Sequence, residues 1–431
     1  MDSFHSRISA AEAESILAAV RAGGFLSVNE NSVIVHDLDR LRNRLVALTN
    51  AFPSGTLHAI AIKANPLVEI LRVCVQAGTG LEAASIEEVH LALAANCTPE
   101  KIIFDSPAKT VSEIEECLER GLHLNVDNFA ELSRIESAIA NRPTTSTIGL
   151  RINPEVIAGT ISTTSVGSVG SKFGMSISRD RERIIDAFRK HDWLVGLHIH
   201  VGSQGCGLDL LCDGAEKIQS LRESIEAETD RKISIVDIGG GLPAAYLETD
   251  DPPSPSQYAN QLRDRVPALM NGDASLMTEF GRSVHAGCGI AFSRVEYVRD
   301  VSDDHKMVVI HLGADFLLRP VYRSDDWKHE FLIFDKNGKL KTGADGKITI
   351  AGPLCFAGDI LARELSMPRP EPGDTIAIRD CGAYTLSMWS RHCSRGIPTV
   401  VGYNNDEVLQ LRPAELPADI VRTWSGVPQG D

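Results

Sequence analysis

LHAIAIK, residues 57–63, is a short apolar run that ends on a lysine. Its composition reads as a β-strand. Seven further runs follow it: LEAAS (81–85), KIIFD (101–105), HLNVD (123–127), TIGLRIN (147–153), LVGLHIHVG (194–202), SIVDIGGG (234–241) and SLMTEF (275–280). The first, fifth, sixth and seventh of the eight declare themselves by β-branched or apolar content; the others gain meaning from the alternation. Between them lie amphipathic segments. Residues 66–77 open with Pro66, suited to a first helical turn. Ser85 leads SIEEVHLALAA with Glu88 three residues on, a capping pattern. Asn128 can cap FAELSRIESAI, and segments 178–190, 209–228 and 256–270 have helical spacing. Eight strands alternating with helices predict a closed (β/α)8 barrel over residues 39–280. A doubly wound open sheet is the alternative, but no GxGxxG follows the first strand, where a dinucleotide fold would carry it.

After residue 280 the pattern changes. YVRDV, KMVVIHL, EFLIFD, KITIAG, DTIAIRDCG and TVVGY are short β-like runs, so residues 281–431 are predicted to form a C-terminal β-domain. KNGK (336–339) and ADGK (344–347) read as hairpin turns. The early run FLSVNENSVIVHDL (25–38) is also β-like, so residues 1–38 are expected to add strands to that domain. The stretch after Glu155 and Val156, IAGTISTTSVGSVGS, is of low complexity and reads as a mobile loop at the strand ends.

The chain has 431 residues, 43% hydrophobic and 23% charged, with a formal net charge of -15. That acidity argues against nucleic acid as a main partner, while a local positive pocket could still take an anionic substrate. No run of about 18 apolar residues suggests a membrane span, and the N-terminus does not read as a secretory signal. The nine cysteines are scattered and odd in number. Neither Cys206 with Cys212 nor Cys381 with Cys393 has zinc-site spacing, so no metal site is expected. Eight of the nine are read as reduced structural thiols in a cytoplasmic protein.

Polar and glycine-rich residues fall at the C-terminal ends of the predicted barrel strands, where barrel enzymes carry catalysis. Lys63 ends the first strand, His200 and Ser203 follow the sixth, Gly239, Gly240 and Gly241 the seventh, and Glu279 with Arg282 the eighth. A buried lysine with a lowered pKa becomes an amine able to form an imine; by itself Lys63 reads more readily as a solvated strand end. The glycine run offers clustered N–H groups for a phosphate, or simply a tight turn. His200 alone reads as a core histidine, and Glu279 alone as a salt-bridged acid. Four such features at one barrel end point to a cofactor pocket.

The matches run from Ala61-Ile-Lys63-Ala-Asn65 through His200-Val-Gly-Ser203-Gln204, Asp237-Ile-Gly-Gly-Gly241 and Glu279-Phe-Gly-Arg282. They continue through Leu318-Arg319-Pro320 and Gly352-Pro-Leu-Cys355-Phe-Ala-Gly-Asp359 to Gly382-Ala-Tyr384. In this order the chain resembles the fold-type III pyridoxal-5′-phosphate (PLP) decarboxylases, the family of diaminopimelate and ornithine decarboxylase. Asp359 four residues after Cys355 is similar to the CESGD motif of the diaminopimelate branch. The resemblance implies a Schiff base between PLP and Lys63, His200 stacked on the pyridine ring, and Ser203, Gly239–Gly241 and Tyr384 on the phosphate. It implies Glu279 on the pyridine nitrogen, keeping the ring a strong electron sink. The related alanine racemases place an arginine there, so the acid favours decarboxylation over racemisation. Arg282 would contact phosphate or a substrate carboxylate, and Arg319, Tyr322, Phe356 and Asp359 would line the substrate side. Cys355 would come from a partner subunit and return a proton to Cα, which implies a twofold homodimer.

The match fails in places that face the substrate. Where the diaminopimelate enzymes have Glu and Ser after the motif cysteine, to recognise a distal amino group, this chain has Phe356 and Ala357. The family's Arg-Pro-x-x-Tyr becomes Arg319-Pro-Val-Tyr322, one residue short, and Trp389-Ser-Arg-His-Cys393 replaces a late Tyr-Asn. Cofactor residues persist while substrate residues differ, so an amino-acid decarboxylase with another substrate, in a specialised biosynthetic pathway, is expected. A genuine diaminopimelate decarboxylase, a PLP racemase or carrier, and a non-catalytic binding protein on this fold are the rival readings. Retention of Lys63, Glu279 and Cys355 together weighs against the last.

Overall fold

The computed structural model describes residues 3–140, 142–156, 159–161 and 166–426. The chain forms two compact units. One comprises Met1–His5, Arg42–Ala244 and Asp251–Val284; the other comprises Ser6–Leu41, Ala245–Asp250 and His285–Asp431. Strands are numbered along the chain, and β1 (Ser32–Asp37) belongs to the second unit.

The first unit holds β2 (Leu57–Ala61), β3 (Gly80–Ala83), β4 (Ile102–Phe104), β5 (His123–Val126), β6 (Ile148–Asn153), β7 (Met175–Ser176), β8 (Leu194–Ile199), β9 (Ile235–Asp237) and β10 (Ser275–Thr278). The order β5-β4-β3-β2-β10-β9-β8-β6 closes on itself through a β5–β6 pairing, with the two-residue β7 appended to β6. The ring is parallel throughout, and every predicted run supplies one of its strands.

Local chemistry starts the helices where expected. Ser85 accepts from the Glu88 N–H to open helix Ile86–Ala94, and Asn128 accepts from the Glu131 N–H to open Phe129–Ile139. Pro66 stays outside the helix that follows it, Val68–Gln76. The 256–270 segment is not one helix. It divides into Pro255–Arg265 and Pro267–Met270, because Pro267 lacks an N–H and pushes Val266 out of helical geometry, to φ -134 and ψ 57. Part of the 155–171 stretch lies outside the described residues. Its described part, expected to be mobile, is tied down: Val166 and Gly167 donate to the Val201 carbonyl, and Thr160 donates to that of Gly205.

The second unit adds β11 (Gly289–Ser302), β12 (His305–Ile310), β13 (Phe331–Phe334), β14 (Gly346–Ala351), β15 (Ile360–Met367), β16 (Thr375–Arg379), β17 (Thr399–Asn404) and β18 (Glu407–Arg412). Their order with β1 is β15-β14-β12-β11-β1-β17-β18, and β16 joins β11 to β13. The early strand is therefore central: β1 runs antiparallel to β11, with Val33 opposite Phe292, and parallel to β17, with Val33 opposite Thr399. Residues 25–31 of the same run do not extend it. Helix Ala10–Ala22, which the sequence reading passed over, buries Ile16, Leu17 and Val20 in a core with Val33, Val35, Ile290 and Phe292.

KNGK forms its turn, with Gly338 at φ 86 and the Asp335 N–H on the Lys339 carbonyl. ADGK does not. Gly346 begins β14, which pairs parallel with β12, and a parallel pair cannot be joined by a tight hairpin. Among the described residues no helix is long and apolar enough to cross a membrane.

Candidate active site in the barrel

Strand alternation sends every second side chain of a barrel strand inward. Here those positions carry charge. Glu82, Asp105, Arg151, His198, Asp237 and Glu279 are all buried. Buried charges persist only when paired or when serving a ligand, and the pairs are explicit. Arg151 Nη1 lies 2.6 Å from Asp105 Oδ2. His198 Nε2 lies 3.5 Å from Glu279 Oε2. Asn125 Nδ2 donates to Asp237 Oδ2 at 3.5 Å.

Lys63 occupies a single 3-10 turn, Ile62–Ala64, directly after β2. Its Nζ donates to both oxygens of Glu82, each at 2.6 Å. The Glu82 carboxyl is pushed up to about 8: burial raises it, Lys63 lowers it, and the charges of Glu279 and Asp105 raise it again.

Glu279 behaves in the opposite way. Burial disfavours its charge, yet the His198 cation holds its carboxyl well below the usual range. Burial likewise works against a charged His198, but Glu279, Asp105 and Asp237 together push that imidazole up to about 9. Glu279 is thus held ionised. Its Oε2 faces His198, while its Oε1 is buried with no hydrogen-bond partner among the described residues.

His200 stays neutral, its pKa lowered by burial. Its Nδ1 accepts from the Gly240 N–H at 3.1 Å, which places its own proton on Nε2; Glu279 Oε2, at 3.6 Å, is beyond hydrogen-bond reach. The glycine run is required sterically. A Cβ on Gly240 would stand 2.4 Å from the Glu279 carbonyl oxygen, and Gly239 has φ 66. Two of its three N–H groups are engaged within the barrel: Gly239 donates to Asp237 Oδ1 at 2.9 Å and Gly240 to His200. The Gly241 N–H has no partner among the described residues. Three residues further on, the Ala244 backbone exchanges two hydrogen bonds with the Gln204 side chain. Arg282 Nε donates to Ser203 Oγ at 3.1 Å.

The remaining predicted residues belong to the second unit. The Arg319 guanidinium lies 4.8 Å from the ring centroids of both Trp327 and Tyr384. Tyr322 and Phe356 stack at 6.2 Å with an interplanar angle of 15°, and His392 meets the Phe356 ring edge-on at 5.5 Å. Cys355 is exposed. Asp359 is buried. Its two oxygens accept from the Ala314 and Leu354 N–H groups, both at 2.7 Å, so it fastens the Cys355 loop to the backbone.

Sequence reasoning missed Glu82, Asp105, Arg151 and His198, and quoted Asp237 only as the start of the glycine motif. The signal was present: each is a charged or titratable residue within an apolar strand run.

The first unit therefore defines a class, a parallel barrel that presents a lysine amine and an ionised carboxylate with one unpartnered oxygen at its strand ends. PLP fits these residues. Its ring nitrogen would supply the donor that Glu279 Oε1 lacks, and its aldehyde would meet the Lys63 amine. Residues 38–286 match the family model for the pyridoxal-dependent decarboxylase pyridoxal-binding domain, and residues 209–382 match that for the C-terminal sheet domain. The diaminopimelate decarboxylase of Pseudomonas aeruginosa is 30% identical over 383 residues, covering 87% of this chain and 88% of that protein. That of Aquifex aeolicus is 29% identical over 384 residues, 88% of each. The crystal structure of diaminopimelate decarboxylase from Helicobacter pylori complexed with L-lysine is similar at a TM-score of 0.84 and 26% identity, covering 93% of this chain and 98% of that one. The chain belongs to the pyridoxal-dependent decarboxylase family. It is a PLP-dependent carboxy-lyase acting on an amino acid.

Proposed function

We propose that the enzyme removes the α-carboxylate of an amino acid whose far end carries an acidic or uncharged polar group, not the free ammonium of meso-diaminopimelate. One observation carries this reading: the position after Cys355 is an aromatic stack of Phe356 on Tyr322 with His392 at its edge. No carboxylate stands where the family motif has one. Losing a charge-assisted hydrogen bond costs about 1.5–3 kcal/mol, or roughly tenfold to more than a hundredfold in affinity. Arg319, with its fork of donors, suits a distal carboxylate.

The residue roles follow the chemistry. Lys63 would hold the cofactor covalently, and Glu279 would face its ring nitrogen. Ser203, Gly241, Arg282 and Tyr384 would hold the phosphate, and His200 would lie against the ring. When bound, PLP supplies the sink for the electron pair that the departing carboxylate leaves on Cα. Glu82 can take a proton from Lys63 Nζ and return it, and Cys355 delivers the proton that replaces CO2. The same reading makes the working enzyme a homodimer with shared sites, in the cytoplasm. Lys63→Ala and Cys355→Ala proteins, each inactive alone, are expected to regenerate activity when mixed. Failure despite demonstrated subunit exchange would exclude sharing.

A CO2-release screen over amino acids tests the substrate. Meso-diaminopimelate is expected to be poor, and the double variant Phe356→Glu, Ala357→Ser to turn it over better. The identity to named diaminopimelate decarboxylases supports the other reading, that this is one of them. A kcat/KM for meso-diaminopimelate of about 10⁴ M⁻¹s⁻¹ or above would decide for it.

A further inference from the structure

Of the nine cysteines, only Cys355 and Cys393 are exposed; the others are buried. These two are also neighbours. The Cys355 N–H points at Cys393 Sγ at 3.4 Å, although 38 residues separate them in sequence. The adjoining residues repeat the contact, since the Phe356 ring meets His392 at 5.5 Å. Both loops are fastened to one short segment. Asp359, in the Cys355 loop, accepts from the Ala314 N–H. In the Cys393 loop, Ser390 donates to the Asp315 carbonyl and Arg395 to Asp315 Oδ2 at 3.1 Å. Cys393 and Ser394 have φ 58 and 53, a reversal that residues with a Cβ seldom adopt.

We propose that Cys355 and Cys393 are a redox pair, closing to a disulfide under peroxide and thereby switching the enzyme off. The Cys393 sulfur already lies beside the Cys355 main chain, 3.4 Å from its nitrogen. One thiolate attacks peroxide, the O–O bond breaks, and a sulfenic acid and water form. The second thiol attacks that sulfur, an S–S bond replaces the S–O bond, and a second water leaves. Two electrons pass from the sulfurs to one peroxide, and a small dithiol reverses the reaction by exchange. Loss of activity rests on the reading of Cys355 as the proton donor; formation of the bond does not.

The experiment treats the holoenzyme with hydrogen peroxide, removes the excess with catalase, blocks free thiols with N-ethylmaleimide and maps peptides by mass spectrometry, with CO2 release measured in parallel. A peptide linking residues 355 and 393 is expected, together with loss of turnover, and dithiothreitol should reverse both. Cys393→Ser is expected to yield no linked peptide and, measured against its own basal turnover, to lose the reversible component of inhibition. Inhibition without a linked peptide would overturn the pair. A linked peptide with undiminished turnover would overturn the switch by removing the catalytic role of Cys355, leaving the bond itself established.

Discussion

Lys63→Ala is expected to lose borohydride-stable attachment of PLP and to lower CO2 release by roughly 10⁴-fold or more, the order seen when a covalent-catalysis group is removed. The fold should survive the change. Lys63 is the cation that both Glu82 oxygens accept from, and removing one partner of a buried ion pair normally strands a charge. Here Glu82 is already pushed up to about 8 with the lysine present. Without it, burial and the neighbouring acids act alone, both upward. Glu82 then keeps its proton at neutral pH and no unpaired charge is left inside the barrel. Circular dichroism should report native secondary structure, while the reduced protein should carry no cofactor on the peptide containing residue 63. An unchanged adduct in the variant would place the covalent site elsewhere.

Glu279→Gln is expected to have the second largest effect, on both activity and pH behaviour. Glu279 is the ionised end of a buried pair with His198, and its Oε1 has no hydrogen-bond partner among the described residues. Breaking such a pair from one side costs about 3–5 kcal/mol of stability. The pH profile tests the cause. In the wild type the His198 pKa is raised from 6.5 to about 9. A raised folded pKa contributes stability that is fully present below the unfolded value and lost as pH rises through the folded one. Unfolding of the cofactor-free protein in urea should therefore show His198's contribution declining between pH 6.5 and about 9. In the glutamine variant the largest charge holding that proton is gone and burial acts against the imidazolium, so this decline should flatten. An identical slope in both proteins would show that His198 does not depend on Glu279.

How much of this was legible beforehand differs by residue. The eight runs from LHAIAIK to SLMTEF are the eight barrel strands, because apolar runs punctuated by capped helices are a local property of the chain. Lys63, His200 and Glu279 could be marked because each ends or follows a strand, and barrel topology turns that sequence position into a spatial one. Helix Ala10–Ala22 was passed over, although Ser9 and Glu12 form its capping box; its buried face is defined by β1 and β11, which lie far along the chain or across a sheet. β15 escaped notice because most of it is not buried, so its pattern lacks an apolar face.

The sequence by itself determined the alternation of strand and helix, the lysine at the end of the first barrel strand and the order of the motif residues, all consequences of local propensity and spacing. Only the tertiary structure decided which charges meet. Closing the barrel put Glu82 on Lys63 and His198 against Glu279, spent the Gly239 and Gly240 donors internally, and left one Glu279 oxygen open. Packing of the second unit turned Asp359 into a loop clamp and set Cys393 beside Cys355. Those outcomes depend on distances between residues tens to hundreds of positions apart, and in a buried, low-dielectric interior such distances, not residue types, determine which groups hold a charge, a proton or a bond.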